Sequence, residues 1–256
     1  MRMLALPAAF ALAFALYLPL PRTYDAIRAA LARLYTRALS LFTDKRGRAS
    51  DTPALACFLL ALGGVAALLG AIHPAVSALT MAPLFGAISL VPGAASVKRE
   101  LDGGSLQGDI DAYETLVRDT CRDFAPSFVA DACLPLMLCA LGTPLYLGGA
   151  LGWMALALRA APQSAVARRI LPPLERVSGG ILHALMLLCS CLVGRSPFRT
   201  RGATLSERLL SILGIAQGDA SGHAPVAGDI AQAAFLCCFC AGLLCAVLSL
   251  ALLAFA

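Results

Sequence analysis

Between Phe128 and Leu158 the chain carries a single charge, Asp131. A carboxylate in so apolar a run is costly to hold in hydrocarbon and is by default a functional candidate, unless it sits at the headgroup level, where the cost largely vanishes. Just upstream, the stretch from Gly108 to Thr120 contains Asp109, Asp111, Glu114, Arg118, Asp119 and Thr120. This set suits a phosphorylated substrate. Arg118 can take phosphate oxygens in a bidentate grip, and Asp109, Asp119 or Asp131 can hold Mg²⁺ through carboxylate oxygens. The same residues also read as a solvated helix whose charges pair among themselves, with Glu114 and Arg118 four positions apart.

The elements that must position these groups follow from composition. Apolar residues make up 59% of the chain and charged ones 14%, mean hydropathy is +0.80, and several segments approach the ~20 apolar residues that cross a bilayer. A soluble chain could not hide this much Leu and Ala without leaving adhesive surface. The expected fold is all-α: a polytopic helical membrane protein with about five or six membrane-embedded segments. Residues 1–256 are read as one integral membrane domain, multi-pass in the cell inner membrane, with lipid as its surroundings and no nucleic-acid partner.

Along the chain, Met3 to Leu20 reads as a retained first helix, since Pro7 interrupts it and no small-x-small cleavage site precedes Arg22. Residues 21–51 form a basic amphipathic segment on the cytoplasmic face. Ile27, Leu31, Leu34, Ala38 and Leu41 recur at helical spacing among Arg22, Arg28, Arg33, Arg37, Lys45, Arg46 and Arg48. Pro53–Ile72 and Ala75–Ala95 flank His73-Pro74 and read as a tight hairpin, with one long broken helix as the alternative. The hairpin places the charged loop 98–127 in the cytoplasm. Phe128–Leu158 is too long for one span and is broken by Pro135 and by Gly142-Thr143-Pro144, so a kinked or re-entrant hairpin is expected. Gly148 and Gly152 within it have the spacing of close helix packing. Arg159–Gly180 is basic and Pro-rich, Ile181–Val193 half-embedded, Arg195–Asp229 a polar loop, and Ala231–Ala256 a final span.

The ten cysteines lie almost entirely in apolar segments, where cysteine acts as a small hydrophobe, and no histidine accompanies them at zinc-ligand spacing. His73 precedes a proline, His183 sits in an apolar helix and His223 in a Gly-rich loop; none suggests catalysis. HExxH, GxSxG and Walker-type patterns are absent.

The order Gly108-Asp109-Ile110, Val117 to Thr120, Asp131 followed by Pro135-Leu136, then Gly142, Pro144 and Tyr146 resembles the CbiB/CobD family of cobalamin-biosynthesis membrane proteins, the adenosylcobinamide-phosphate synthases. Arg195-Ser196-Pro197, Leu213-Gly214-Ile215 and Asp229-Ile230 match more loosely. The chain departs from the family pattern at three places. Pro126-Ser127-Phe128 stands where the family has Ala-Glu-Asn, Ala150 to Trp153 where it has Asn-Thr-Leu-Asp, and Phe198 to Arg201 where it has Asn-Ala-Gly-Trp.

The resemblance implies ATP-dependent amide formation between a carboxyl group of adenosylcobyric acid and an aminopropanol-type amine, with ATP and Mg²⁺ as cofactors and a corrinoid as substrate. It implies a catalytic set of Arg118 on phosphate, Asp119 and Asp131 on metal or amine, and Thr120 orienting by hydrogen bonding. The alternative is a catalytically degenerate scaffold or regulatory protein of the same fold. A transporter would carry internal repeats with paired broken helices, which the chain lacks.

Overall fold

In an apolar solvent each backbone N–H and C=O must find its partner within its own segment, so the apolar runs become helices. The computed structural model describes residues 4–42, 50–104, 109–142, 145–190, 202, 204–215 and 222–254. Among them eleven α-helices follow one another and no strand occurs. They are α1 (Ala5–Tyr17), α2 (Thr23–Leu41), α3 (Asp51–Ile72), α4 (Pro74–Met81), α5 (Leu90–Asp102), α6 (Ile110–Phe128), α7 (Leu134–Leu141), α8 (Leu145–Ala160), α9 (Ala165–Cys189), α10 (Leu205–Leu213) and α11 (Ala227–Ala254).

Three helical stretches among the described residues are long and apolar enough to cross a membrane: α3, the rod Ile110–Leu141 that joins α6 to α7, and α11. Pro74–Leu84 and Gly86–Asp102, bent by 57°, add a fourth if they form one broken span. These long apolar helices mark a membrane protein, with fewer candidate spans than the five or six embedded segments expected. The shortfall has two causes. The first apolar run yields only the 13-residue α1. The run from Phe128 is divided between the end of the rod and α8, whose 16 residues fall short of a bilayer.

The charged stretch 98–127 is mostly helix where a loop was expected. α5 continues to Asp102 and α6 begins at Ile110. Val117, Cys121, Phe124 and Phe128 recur every three or four positions and bury one face of α6 against α10 and α11. The charges take the other face. Ile181–Val193, expected to be half-embedded, belongs as far as Cys189 to the 25-residue α9, which also contains Pro172 and Pro173. The basic segment 21–51 forms α2, with Tyr24, Leu31 and Tyr35 buried; its Lys45, Arg46 and Arg48 lie outside the described residues.

Glycines let the helices approach. An added Cβ at Gly63 would meet the Met154 side chain at 2.4 Å, and one at Gly70 would meet Tyr146 at 2.9 Å, so α8 lies directly on α3. At Gly148 it would fall 1.9 Å from the Cys139 carbonyl oxygen, which closes α7 and α8 into a hairpin. The Gly148–Gly152 spacing thus serves close packing, with Gly152 against Leu84. α3 and α4 pack on each other across an extended His73, whose ring accepts the Ala75 N–H at 3.1 Å.

Candidate functional site

Asp131 occupies a π-helical turn, Val129–Cys133, between α6 and α7. Two prolines flank it. Pro126 has no N–H for the Arg122 carbonyl four residues back, and the Ser206 hydroxyl of α10 donates to that oxygen instead at 2.9 Å. Pro135 follows the turn. Local widening of this kind re-aims the side chains it carries, and here it turns Asp131 into the protein, where the residue is buried.

An isolated buried carboxylate costs on the order of several kcal/mol, so it must find a cation or donors. The Tyr24 hydroxyl of α2 donates to Oδ1, and the Arg159 guanidinium forms an ion pair with the same oxygen. Arg159 stands in the last turn of α8, where the helix dipole favours a cation. Its Nε lies 3.7 Å from Glu175 of α9. Tyr24 is wedged against Gly86, where a Cβ would meet its ring at 2.0 Å, and Tyr17 packs edge-on at 5.9 Å. Burial pushes the Tyr24 phenol up to about 12 against the opposing pull of the Arg159 and Arg28 guanidiniums, so it remains a donor.

Arg159 and Glu175 also line an open groove of about 790 Å³ between the end of α6, α9 and α10. His183 and Arg208 line it as well. The His183 Nδ1 is buried without a hydrogen-bond partner. Burial, and then the Arg208 charge, hold this imidazole below its ordinary 6.5, so it is neutral at pH 7. Chemically the groove offers guanidiniums for a carboxylate or phosphate, one carboxylate for an ammonium, and a neutral imidazole that can donate or accept.

The residues singled out from sequence are spread along one rod. Asp109 caps α6, its Oδ1 accepting the Ala112 N–H at 3.0 Å. Arg118 lies 3.8 Å from Glu114, and its Nε is buried without a partner. Asp119 is exposed and 3.8 Å from Arg122. Thr120 donates to the Leu116 carbonyl at 2.7 Å. At about 1.5 Å per residue, Asp119 stands about 18 Å from Asp131 and Asp109 about 33 Å. The three carboxylates therefore do not converge on one Mg²⁺, and Asp131 is already engaged by a guanidinium. Among the described residues no three His, Cys, Asp or Glu side chains are grouped to hold a metal.

Two further carboxylates serve as fasteners. Asp51 accepts from Tyr35, from the Ser164 hydroxyl at 2.9 Å and from the Ala165 N–H at 3.1 Å, which ties α3 to α2 and to the start of α9. Asp229, buried in the first turn of α11, receives His223 at 3.0 Å and the Val226 N–H at 2.9 Å. Of the looser motif positions, Arg195-Ser196-Pro197 lie outside the described residues.

Tyr24, Arg159, Glu175, His183 and Arg208 were not singled out in sequence as partners or site residues. Arg159 carried a usable signal, because it is the first charge after the apolar run that holds Asp131, and a buried carboxylate needs an opposite charge. The others bear no local mark. The chain matches no family profile, no characterised protein and no solved structure.

Proposed function

We propose that this chain is a divergent, membrane-embedded relative of the CbiB/CobD synthases that joins an aminopropanol-type amine to a carboxyl group of adenosylcobyric acid, using ATP. The observation that carries the reading is the setting of Asp131. The position that the motif order equates with the family's aspartate is a buried carboxylate, linked through Arg159 and Glu175 to an open groove. In this scheme Arg159 meets an anionic group of the substrate, Glu175 receives the ammonium of the amine, and Asp131 with Tyr24 fixes the guanidinium. Arg118, Asp119 and Thr120, about 16–20 Å along the rod from Asp131, act on a more distant part of a large ligand, with the Arg118 guanidinium as the phosphate ligand. Amide formation needs an activated carboxyl, which is why ATP and Mg²⁺ belong to the proposal; Asp109, Asp119 and Asp131 do not fit as one Mg²⁺ site. The proposal also places the protein in the cell inner membrane as a multi-pass protein. There α1 and α8 are embedded beside the three or four candidate spans, five or six segments in total.

Complementation of a synthase-deficient bacterium fed cobyric acid tests this. Growth is expected with the wild-type chain and not with Asp131→Asn. A wild-type chain that is expressed and membrane-inserted yet fails to support growth removes the enzyme reading.

A second reading, a non-catalytic scaffold of the same fold, is favoured by one specific observation. Where the family carries Asn-Thr-Leu-Asp, Ala150 to Trp153 are used for packing: Gly152 closes on Leu84, and the Trp153 indole N–H donates to the Thr80 carbonyl at 2.8 Å. Failed complementation by an inserted wild type is the outcome this reading expects.

A further inference from the structure

The groove is also lined by Arg176, His183 and Arg208, which the amide-forming scheme does not use. Arg176 and His183 lie seven residues apart on α9, two turns along one face. Gly179 and Gly180 between them leave that face without side chains; a Cβ at Gly180 would meet nothing within 4 Å, and one at Gly179 only Val129 at 3.8 Å. Arg208 faces them from α10. Its Nε donates to the Gly202 carbonyl at 3.1 Å, which fixes the guanidinium plane and leaves its terminal nitrogens for another acceptor.

The charge balance is one-sided. Three guanidiniums line the groove against one carboxylate, Glu175, and that carboxylate lies 3.7 Å from Arg159. Arg159 is answered by Asp131 as well as by Glu175, which leaves the charges of Arg176 and Arg208 at the groove, and the buried His183 Nδ1 has no hydrogen-bond partner. An oxygen-rich anion answers both features: its oxygens accept from planar guanidiniums and from an imidazole N–H, and its charge offsets the excess.

We propose that Arg176, His183 and Arg208 form a binding site for a phosphate group, supplied either by a phospholipid headgroup or by a small free phosphate. Arg208 and Arg176 hold the phosphate oxygens, the bare Gly179–Gly180 face admits the group, and His183 Nδ1 gains the partner it lacks. The site does not depend on amide formation. Complementation reads that activity and binding reads this one, so either can fail alone.

The test uses the purified full-length chain in nanodiscs. In phosphatidylcholine nanodiscs, inorganic phosphate is titrated while the His183 resonances are followed by NMR. In parallel, phospholipid retained from mixed phosphatidylcholine and phosphatidylglycerol discs is measured by native mass spectrometry. A free-phosphate site shows saturable phosphate binding, and a headgroup site shows enrichment of phosphatidylglycerol. In either case the binding or enrichment falls at least about tenfold in Arg208→Gln, by more than in Arg169→Gln, which changes an α9 arginine that does not line the groove. Arg176→Gln, at an exposed position whose loss leaves the fold intact, weakens the same binding and keeps the test decisive if Arg208→Gln misfolds. Absence of both phosphate binding and phosphatidylglycerol enrichment in the wild type, or binding equal in all variants, overturns the site.

Discussion

Arg159 and Asp131 are joined across 28 positions of sequence by the hairpin that separates them. From Asp131 the chain runs about 17 Å to the turn near Gly142, and α8 returns about 21 Å to Arg159. The nearly equal arms bring an arginine at the end of one helix to a carboxylate at the start of the other. The Gly148–Cys139 contact holds the arms together. A charge pair thereby occupies a place where either charge alone would be unsupported.

Removing one member of this pair is expected to be far worse than removing both. Arg159→Met leaves the Asp131 carboxylate buried and is expected to lower stability by about 3–5 kcal/mol. Asp131→Leu combined with Arg159→Met is expected to recover much of that loss. Thermal unfolding in detergent reads both, with Arg33→Met on the exposed face of α2 as the control, expected within about 0.5 kcal/mol of wild type. An Arg159→Met melt no lower than the control contradicts a buried pair.

Gly86 is needed because the Tyr24 ring occupies the space of its missing side chain. Gly86→Ala is expected to destabilise by about 1–3 kcal/mol through overpacking and to push the phenol off Asp131. Tyr24→Phe, which only deletes the hydroxyl, is expected to cost about 1–3 kcal/mol by leaving Asp131 short of a donor. Because both act on one contact, the double variant should lose less than the sum of the singles. Full additivity in the melting data sinks the idea that Gly86 positions the Tyr24 hydroxyl.

The Ser206 hydroxyl replaces a backbone donor that Pro126 cannot supply. Ser206→Ala is expected to cost about 0.5–1.5 kcal/mol, near the lower end because the site is exposed. In a Pro126→Ala background the alanine N–H can take over the Arg122 carbonyl, and the same Ser206→Ala change should then cost less. A double-mutant cycle by chemical denaturation measures this coupling; a Ser206→Ala cost that is identical with and without Pro126 refutes the substitution of one donor for the other.

His183 gives the protein a defined response to acid. Burial and Arg208 hold its folded-state pKa below 6.5. As pH falls, the unfolded chain takes up this proton first, and linkage then favours unfolding. The contribution is absent above about pH 6.5 and grows as pH drops through the interval between the unfolded and folded values. His183→Gln should flatten the stability profile in that interval, and Arg208→Gln should move the His183 titration upward. A His183 resonance that titrates at or above 6.5 by NMR contradicts the burial that isolates its ring.

Several features were legible in the chain because they rest on local physics. Apolar content and run length imply helices in lipid, whichever partners they later meet. Prolines and glycines mark the breaks at His73-Pro74 and near Gly142. The four-residue spacing of Glu114 and Arg118 belongs to any helix, and the structure shows that pair on α6. The count of spans was less legible, because whether Phe128–Leu158 forms one element or parts of two depends on α6 continuing through a π turn. That turn is bounded by prolines whose effect is settled only when Ser206 arrives from α10.

The site itself was decided by tertiary structure. From sequence, Arg118, Asp119 and Asp131 look like neighbours, but a continuous helix spaces them by its rise per residue and keeps them apart. Asp131, by contrast, meets Tyr24 from 107 positions away and Arg159 from 28. Contacts of that kind are set by which helices a glycine allows to touch and by where a hairpin closes. The residue types determined by themselves that a buried carboxylate needed an opposite charge. Only the packing of α2, α8 and α9 decided which charge it would be and placed Glu175 and His183 in the lining of one groove, because a short-range interaction exists only where the fold brings its two ends within reach.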